Sequence, residues 1–165
     1  MKQYTWIFIA IALFLIPAAV HAQTSVSFGP KAGIDLGDAD DAFIGADARI
    51  SSESLPVRIN PVFNYYFSPE GVTRWSAGAN ALFDLAGLEE DISPYVGGGL
   101  QVYTTSFDFG GQSVSNSDLG LTAVGGAEFN LESIRPFVQA ELGIIFSEGD
   151  SGTLFGIGGG VLFDL

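Results

Sequence analysis

The chain has 165 residues, and its 6 lysines and arginines against 19 aspartates and glutamates give a net charge of −13. A chain this acidic has no basic face for neutralising phosphates, which excludes a nucleic acid as its partner. It contains no cysteine, which excludes disulfide bonds, cysteine-ligated zinc and thiol catalysis.

Residues 1–22 have the layout of a secretory signal peptide. Lys2 is the only charged residue before an unbroken apolar run over 7–16, and small residues follow up to Ala22. The apolar stretch is shorter than the roughly 20 residues that a spanning helix needs. The sequence therefore predicts cleavage after Ala22 and a single mature domain over 23–165.

The rest of the chain alternates between apolar and polar residues with a period of two, which is typical of β-strands. Clusters of Gly, Ser, Asp and Glu separate the alternating segments, and the longest such link spans about 106–117. Eight strands joined by short links predict an all-β fold, an eight-stranded antiparallel up-and-down barrel. The predicted strands are 24–36, 42–50, 57–67, 73–85, 93–105, 118–131, 135–147 and 153–165.

Each predicted strand has one apolar and one polar face. A water-soluble barrel hides its apolar face, whereas a membrane barrel turns that face to lipid and encloses the polar one. Three features favour the membrane barrel: basic and acidic residues share the polar faces, glycine and serine fill the remaining polar positions, and aromatic residues sit near the ends of the apolar faces. We therefore expect ion pairs in the lumen among Lys31, Asp35, Asp47, Arg49, Arg58, Arg74, Asp84, Glu128, Arg135 and Glu141.

A two-strand repeat predicts how the barrel is oriented. The odd strands carry a proline near their start, and three even strands end in Phe-Asp-Leu or Phe-Asn-Leu. In an antiparallel barrel these positions meet at one rim, together with both chain ends. In bacterial barrels that rim faces the periplasm, so the link at 106–117 is expected to be extracellular.

With these features the chain resembles the small eight-stranded outer-membrane β-barrels of Gram-negative bacteria, of the OmpA-transmembrane-domain and OmpX kind. Gly160, Phe163 and Leu165 match the glycine-x-x-hydrophobic-x-hydrophobic signal that this family presents to the barrel-assembly machinery. The resemblance implies secretion through the inner membrane and residence in the outer membrane as a monomer. Its partners would then be membrane lipid, lipopolysaccharide and the assembly machinery.

Removal of the signal peptide would take the single histidine, His21, with it. Without histidine or cysteine the mature chain lacks the groups of a serine or cysteine hydrolase, so we expect neither an enzyme nor a cofactor. The expected function is a structural or surface-interaction barrel with short acidic extracellular loops and a lumen filled by side chains, without an open pore. A narrow porin-like channel is the alternative, because glycine-rich polar faces leave room for water.

Barrel closure would bring the loop at 37–41 beside the loop at 148–152. We expect the carboxylates there to lack a basic neighbour, and hard divalent cations bind carboxylate oxygens. Neither loop has the spacing of a dedicated calcium loop, so a solvated acidic rim without metal is favoured over a site. The candidate divalent-cation ligands are Asp38, Asp40, Asp41, Glu148 and Asp150.

Overall fold

The computed structural model describes residues 24–37, 40–85, 91–109, 112–131, 133–147 and 150–165. The predicted signal peptide, 1–22, lies outside the described residues and stays a prediction. The described residues form eight β-strands: β1 (Thr24–Asp35), β2 (Ala42–Ser52), β3 (Arg58–Tyr66), β4 (Val72–Asp84), β5 (Ile92–Phe109), β6 (Gln112–Phe129), β7 (Arg135–Ser147) and β8 (Asp150–Asp164).

Every strand pairs antiparallel with the next, and β1 also pairs with β8, so the sheet closes into a barrel. This confirms the predicted fold class. The seam between β1 and β8 is tightly packed: a Cβ added to Gly29 would lie 1.7 Å from the carbonyl oxygen of Val161. Within the described ranges, no helix is long and apolar enough to cross a membrane.

The two ends of the barrel differ in their connections. The terminal rim is the end at which β1 begins and β8 ends, and the links that follow β2, β4 and β6 start there. The opposite end, the hairpin rim, is where the links that follow β1, β3, β5 and β7 start. Asp40, between β1 and β2, has a φ of 50°, a left-handed conformation that aspartate tolerates better than most residues.

The predicted loop at 106–117 is wrong, because β5 and β6 continue through most of it as a protruding β-hairpin. Cross-strand pairs hold this extension together: Phe107 lies opposite Val114, and the hydroxyls of Ser106 and Ser115 are 2.8 Å apart. Such pairs of β-formers and hydroxyls stabilise antiparallel strands. The serine and glycine residues within 106–117 suggested a loop, but the period-two alternation of side chains continues through this segment and extends both strands.

The alternation separates the two faces of the sheet cleanly. Five outward apolar side chains near mid-strand are between 46% and 58% exposed: Ile44, Leu100, Leu121, Leu142 and Ile157. Many inward side chains are polar, and five of them are at most 1% exposed: Asp47, Arg49, Ser76, Gln101 and Glu128. The polar faces therefore line the lumen, and the apolar faces form the outer wall.

Inward glycines make room for inward aromatic rings. Idealised Cβ atoms on Gly120, Gly126 and Gly160 would lie 2.6–2.9 Å from atoms of Tyr103, Tyr95 and Phe137, respectively. Each ring thus covers a glycine on a neighbouring strand, which fills the narrow lumen and shields the exposed backbone.

Candidate functional site in the barrel lumen

Glu128 organises the charges in the terminal half of the lumen. Its Oε1 is 2.6 Å from Arg58 Nη1 and 3.8 Å from Arg49 Nη1, and its Oε2 is 3.2 Å from Arg135 Nη1. The glutamate side chain is only 1% exposed. A buried carboxylate is stable only where partners replace its hydration, and here three guanidinium groups surround it.

The two outer arginines of this cluster continue to the rim. Arg58 also binds Asp84, and Arg135 lies 2.6 Å from Asp164 and also donates to Ser27. The side chains of Asp84 and Asp164 are 52% and 72% exposed. The ion-pair network therefore begins in solvent at the terminal rim and ends on Glu128 inside the barrel.

Arg49 crosses the middle of the lumen. Its Nε donates to Asp47 Oδ1 at 2.7 Å, and its Nη2 donates to the Tyr95 hydroxyl at 3.2 Å. Its guanidinium carbon also lies 4.7 Å from the Tyr95 ring centroid and 5.1 Å from that of Phe137, within the range of cation–π attraction. Lys31 Nζ lies 4.0 Å from the other oxygen of Asp47, so two cations flank this carboxylate.

The hairpin half of the lumen is organised around Arg74. Its partners are Asp35 at 3.1 Å and Asp41 at 3.5 Å, and its guanidinium lies over the ring of Tyr66. The neighbouring carboxylate, Glu141, accepts a 2.7 Å hydrogen bond from Gln101. Among the described residues, no cation lies within 4.0 Å of Glu141. The buried ammonium of Lys31 attracts this carboxylate only from beyond that distance.

The expectation that the acidic rim has no basic neighbour is wrong for Asp41. This carboxylate lies 3.5 Å from Arg74 and also accepts a 2.7 Å hydrogen bond from Ser68. A 2.8 Å backbone hydrogen bond from Asp35 to the Asp41 carbonyl holds it beside the ion pair of Asp35 and Arg74. Asp40 is exposed. The other candidate ligands, Asp38, Glu148 and the side chain of Asp150, lie outside the described part of the chain. Within that part, no group of three or more acidic or histidine side chains could hold a metal ion.

The predicted assembly-signal residues lie at the end of β8. Gly160 lies opposite Lys31 on the inside, Phe163 points outward, and Leu165 is 88% exposed just after the strand. This arrangement leaves the two apolar side chains of the signal accessible on the outer wall.

Uncharged polar residues form much of the lumen, and the pattern of charged residues in the sequence does not reveal them. Asn60 donates to Asp47, Asn80 donates to Asn60, and Thr122 donates to Asn80, over distances of 2.8–3.1 Å. Their position on the polar face of each strand was the one feature of the sequence that could have identified them as lumen residues. Side-chain parity alone does not say which inward residues meet across the lumen.

Two cavities lie in the hairpin half. The deep cavity encloses about 10 Å³ and is lined by residues that include Asp35, Asn64, Glu141 and Leu154. The vestibule, of about 280 Å³, is lined by residues that include Asp35, Tyr103 and Leu154. The shared lining residues Asp35 and Leu154 make the two cavities neighbours.

We expect Glu128→Gln to lower the free energy of unfolding by about 3–5 kcal/mol, because it leaves buried arginines without their counter-charge. The matched control is Asp164→Asn, which removes an exposed partner of Arg135 and should cost about 0–1 kcal/mol. Urea unfolding of the protein refolded into lipid vesicles measures both. Equal losses in the two variants would contradict the central role of Glu128.

No protein-family model matches the sequence, and no curated protein matches it either. The structure is similar to that of Neisserial surface protein A, with a TM-score of 0.69 and 16% identity over 85% of this chain and 96% of that one. It is similar to the N-terminal β-barrel domain of Pseudomonas aeruginosa OprF, with a TM-score of 0.58 and 16% identity over 86% and 100% of the chains. The attachment invasion locus protein Ail of Yersinia pestis, in complex with the heparin analogue sucrose octasulfate, gives a TM-score of 0.56 and 18% identity over 86% and 97% of the chains. The chain therefore has the fold of the small eight-stranded outer-membrane β-barrels.

Proposed function

We propose that this protein is a monomeric outer-membrane barrel that presents its hairpin rim at the cell surface and acts there as a structural or surface-interaction protein. One observation carries the proposal: the wall is apolar outside and its charges are enclosed and paired inside. Such a wall suits lipid, because the hydrocarbon core of a bilayer leaves exposed backbone and charges unsatisfied. Most charged residues of the lumen pair with one another, so we assign them no catalytic role.

The partners follow from this location. Lipid would cover the apolar wall, and the outward Phe163 and Leu165 of β8 would form the signal for the barrel-assembly machinery together with Gly160. The hairpin rim would meet lipopolysaccharide and the cell exterior, and the β5–β6 hairpin projects farthest among the strands at that rim. The serine-rich outer face of this hairpin, which includes Ser106 and Ser115, suits water or lipid headgroups better than hydrocarbon.

The proposal includes a closed lumen. Arg49, Tyr95, Gln101 and Phe137 lie in the interior and are each at most 2% exposed. Eight strands enclose little more space than their own side chains fill, and these side chains are held by mutual hydrogen bonds and cation–π contacts. Passage of ions would require this group to rearrange.

Single-cysteine labelling tests the surface orientation, since the natural chain has no cysteine. We expect Ser115→Cys, on the β5–β6 hairpin, to react with a membrane-impermeant maleimide on intact cells. The matched control is Ser54→Cys, in an exposed turn of the terminal rim, which should react only after the outer membrane is permeabilised. The opposite pattern would reverse the orientation, and no difference between the variants would contradict the proposed location.

Planar-bilayer recordings test the closed lumen against the alternative of a narrow channel, which the vestibule of about 280 Å³ favours. We expect the refolded protein to give no steady conductance, because the residues around Arg49 block the path. Reconstituted protein that is shown by circular dichroism to be folded serves as the sample. Steady, reproducible conductance steps in that sample would overturn the closed barrel and support the channel.

A further inference from the structure

The deep cavity is lined by one hydrogen-bond acceptor that lacks a donor, the side-chain oxygen of Asn64. Asn64 is 3% exposed, and no described residue donates a hydrogen bond to its Oδ1, which is buried. Its amide nitrogen donates to Ser76 at 3.1 Å, and the Ser76 hydroxyl in turn donates to Gln101, which fixes the orientation of the amide. The unpaired Oδ1 of Asn64 therefore needs a hydrogen-bond donor from a molecule that occupies the cavity.

Two carboxylates share the same small space. Glu141 is 7% exposed and no described cation lies within 4.0 Å of it, while Asp35 has Arg74 as its one cationic neighbour within that distance. The enclosed volume of about 10 Å³ matches the room that one water-sized group needs. A group of that size that carries positive charge and several N–H donors would satisfy Asn64 and compensate Glu141 together.

The vestibule provides space for the rest of such a molecule. It adjoins the deep cavity through Asp35 and Leu154 and extends to the hairpin rim, where its lining residue Asp118 is partly exposed. The hydroxyl of Tyr103, whose side chain also lines the vestibule, is buried without a hydrogen-bond partner among the described residues. A volume of about 280 Å³ approaches the lower end of the range for small-molecule sites, roughly 300 Å³.

We propose that the hairpin half of the lumen binds a small primary amine, whose ammonium group enters the deep cavity between Asn64 and Glu141 while its carbon chain lies in the vestibule. An ammonium group has three donors and no acceptor, which matches a site lined by the unpaired oxygen of Asn64 and the carboxylates of Asp35 and Glu141. A divalent metal ion fits less well, since no cluster of three metal-binding side chains exists among the described residues. The carboxylates of Asp35 and Glu141 in the lining disfavour an anion.

The test is a titration of the refolded full-length mature protein with n-butylamine. Calorimetry measures the binding, and NMR monitors the side-chain amide of Asn64. We expect saturable binding in the range of about 1 mM, which corresponds to a modest free energy for a molecule this small. The Asn64 amide resonance should shift during the titration. 1-Butanol, of similar size but uncharged, and tetramethylammonium, charged but without N–H donors, should both bind about tenfold more weakly or not at all.

Two glutamate variants make the matched comparison. Glu141→Gln should weaken butylamine binding by about tenfold or more, since a buried charged partner is lost. Glu53→Gln removes the same charge from an exposed turn at the other rim and should leave binding unchanged. Equal binding of butylamine and butanol, binding that Glu141→Gln does not affect, or a response to Ca²⁺ alone would overturn the proposal. If Glu141→Gln fails to fold, the unsubstituted protein still provides a test. An Asn64 side-chain resonance that does not shift on addition of butylamine would also overturn the proposed site.

Discussion

The pairing of β1 with β8 is the constraint on which the rest of the structure depends. A sheet with a free edge would expose unpaired N–H and C=O groups, which a bilayer cannot hydrogen-bond. Closure requires the two strands to approach closely, and Gly29 lies where any side chain would collide with the backbone of β8. Once the ring of strands is closed, every residue faces either the outer wall or the lumen, and the period-two alternation decides which.

The lumen that results is narrow, and its contents are charged. In the terminal half the charges form a compensated network around Glu128, which three arginines surround. Removing charges from water is costly, so a buried network of this kind adds less to stability than to the choice of one arrangement. In the hairpin half the compensation is weaker: Arg74 pairs with two aspartates, and Glu141 has a hydrogen bond from Gln101 and the attraction of Lys31 from beyond 4.0 Å. This difference between the halves is the physical basis for the amine site proposed there.

The sequence predicted the eight strands, their faces and the closed barrel, because alternation with a period of two is a local property of the chain. It did not predict the extent of β5 and β6, since serine and glycine in a strand extension look like those in a loop. The sequence also did not predict which charged side chains pair with each other across the lumen. Arg74 binds Asp35, which belongs to the set of lumen charges expected from the sequence, and Asp41, which does not. Parity gives the face of a residue, whereas its partner across the lumen depends on register and on the height of each side chain.

Leucines on the two faces of the sheet allow a direct measurement of which face meets lipid and which encloses the lumen. Leu100, Leu121 and Leu142 point outward and are about half exposed, whereas Leu82 and Leu162 point inward and are fully buried. Methyl NMR of the protein in lipid nanodiscs that contain a nitroxide on the acyl chain reports contact with hydrocarbon. The account predicts strong broadening of the three outward leucines and retained intensity of the two inward ones. Broadening of Leu82 and Leu162 with unaffected signals from the outward leucines would contradict it.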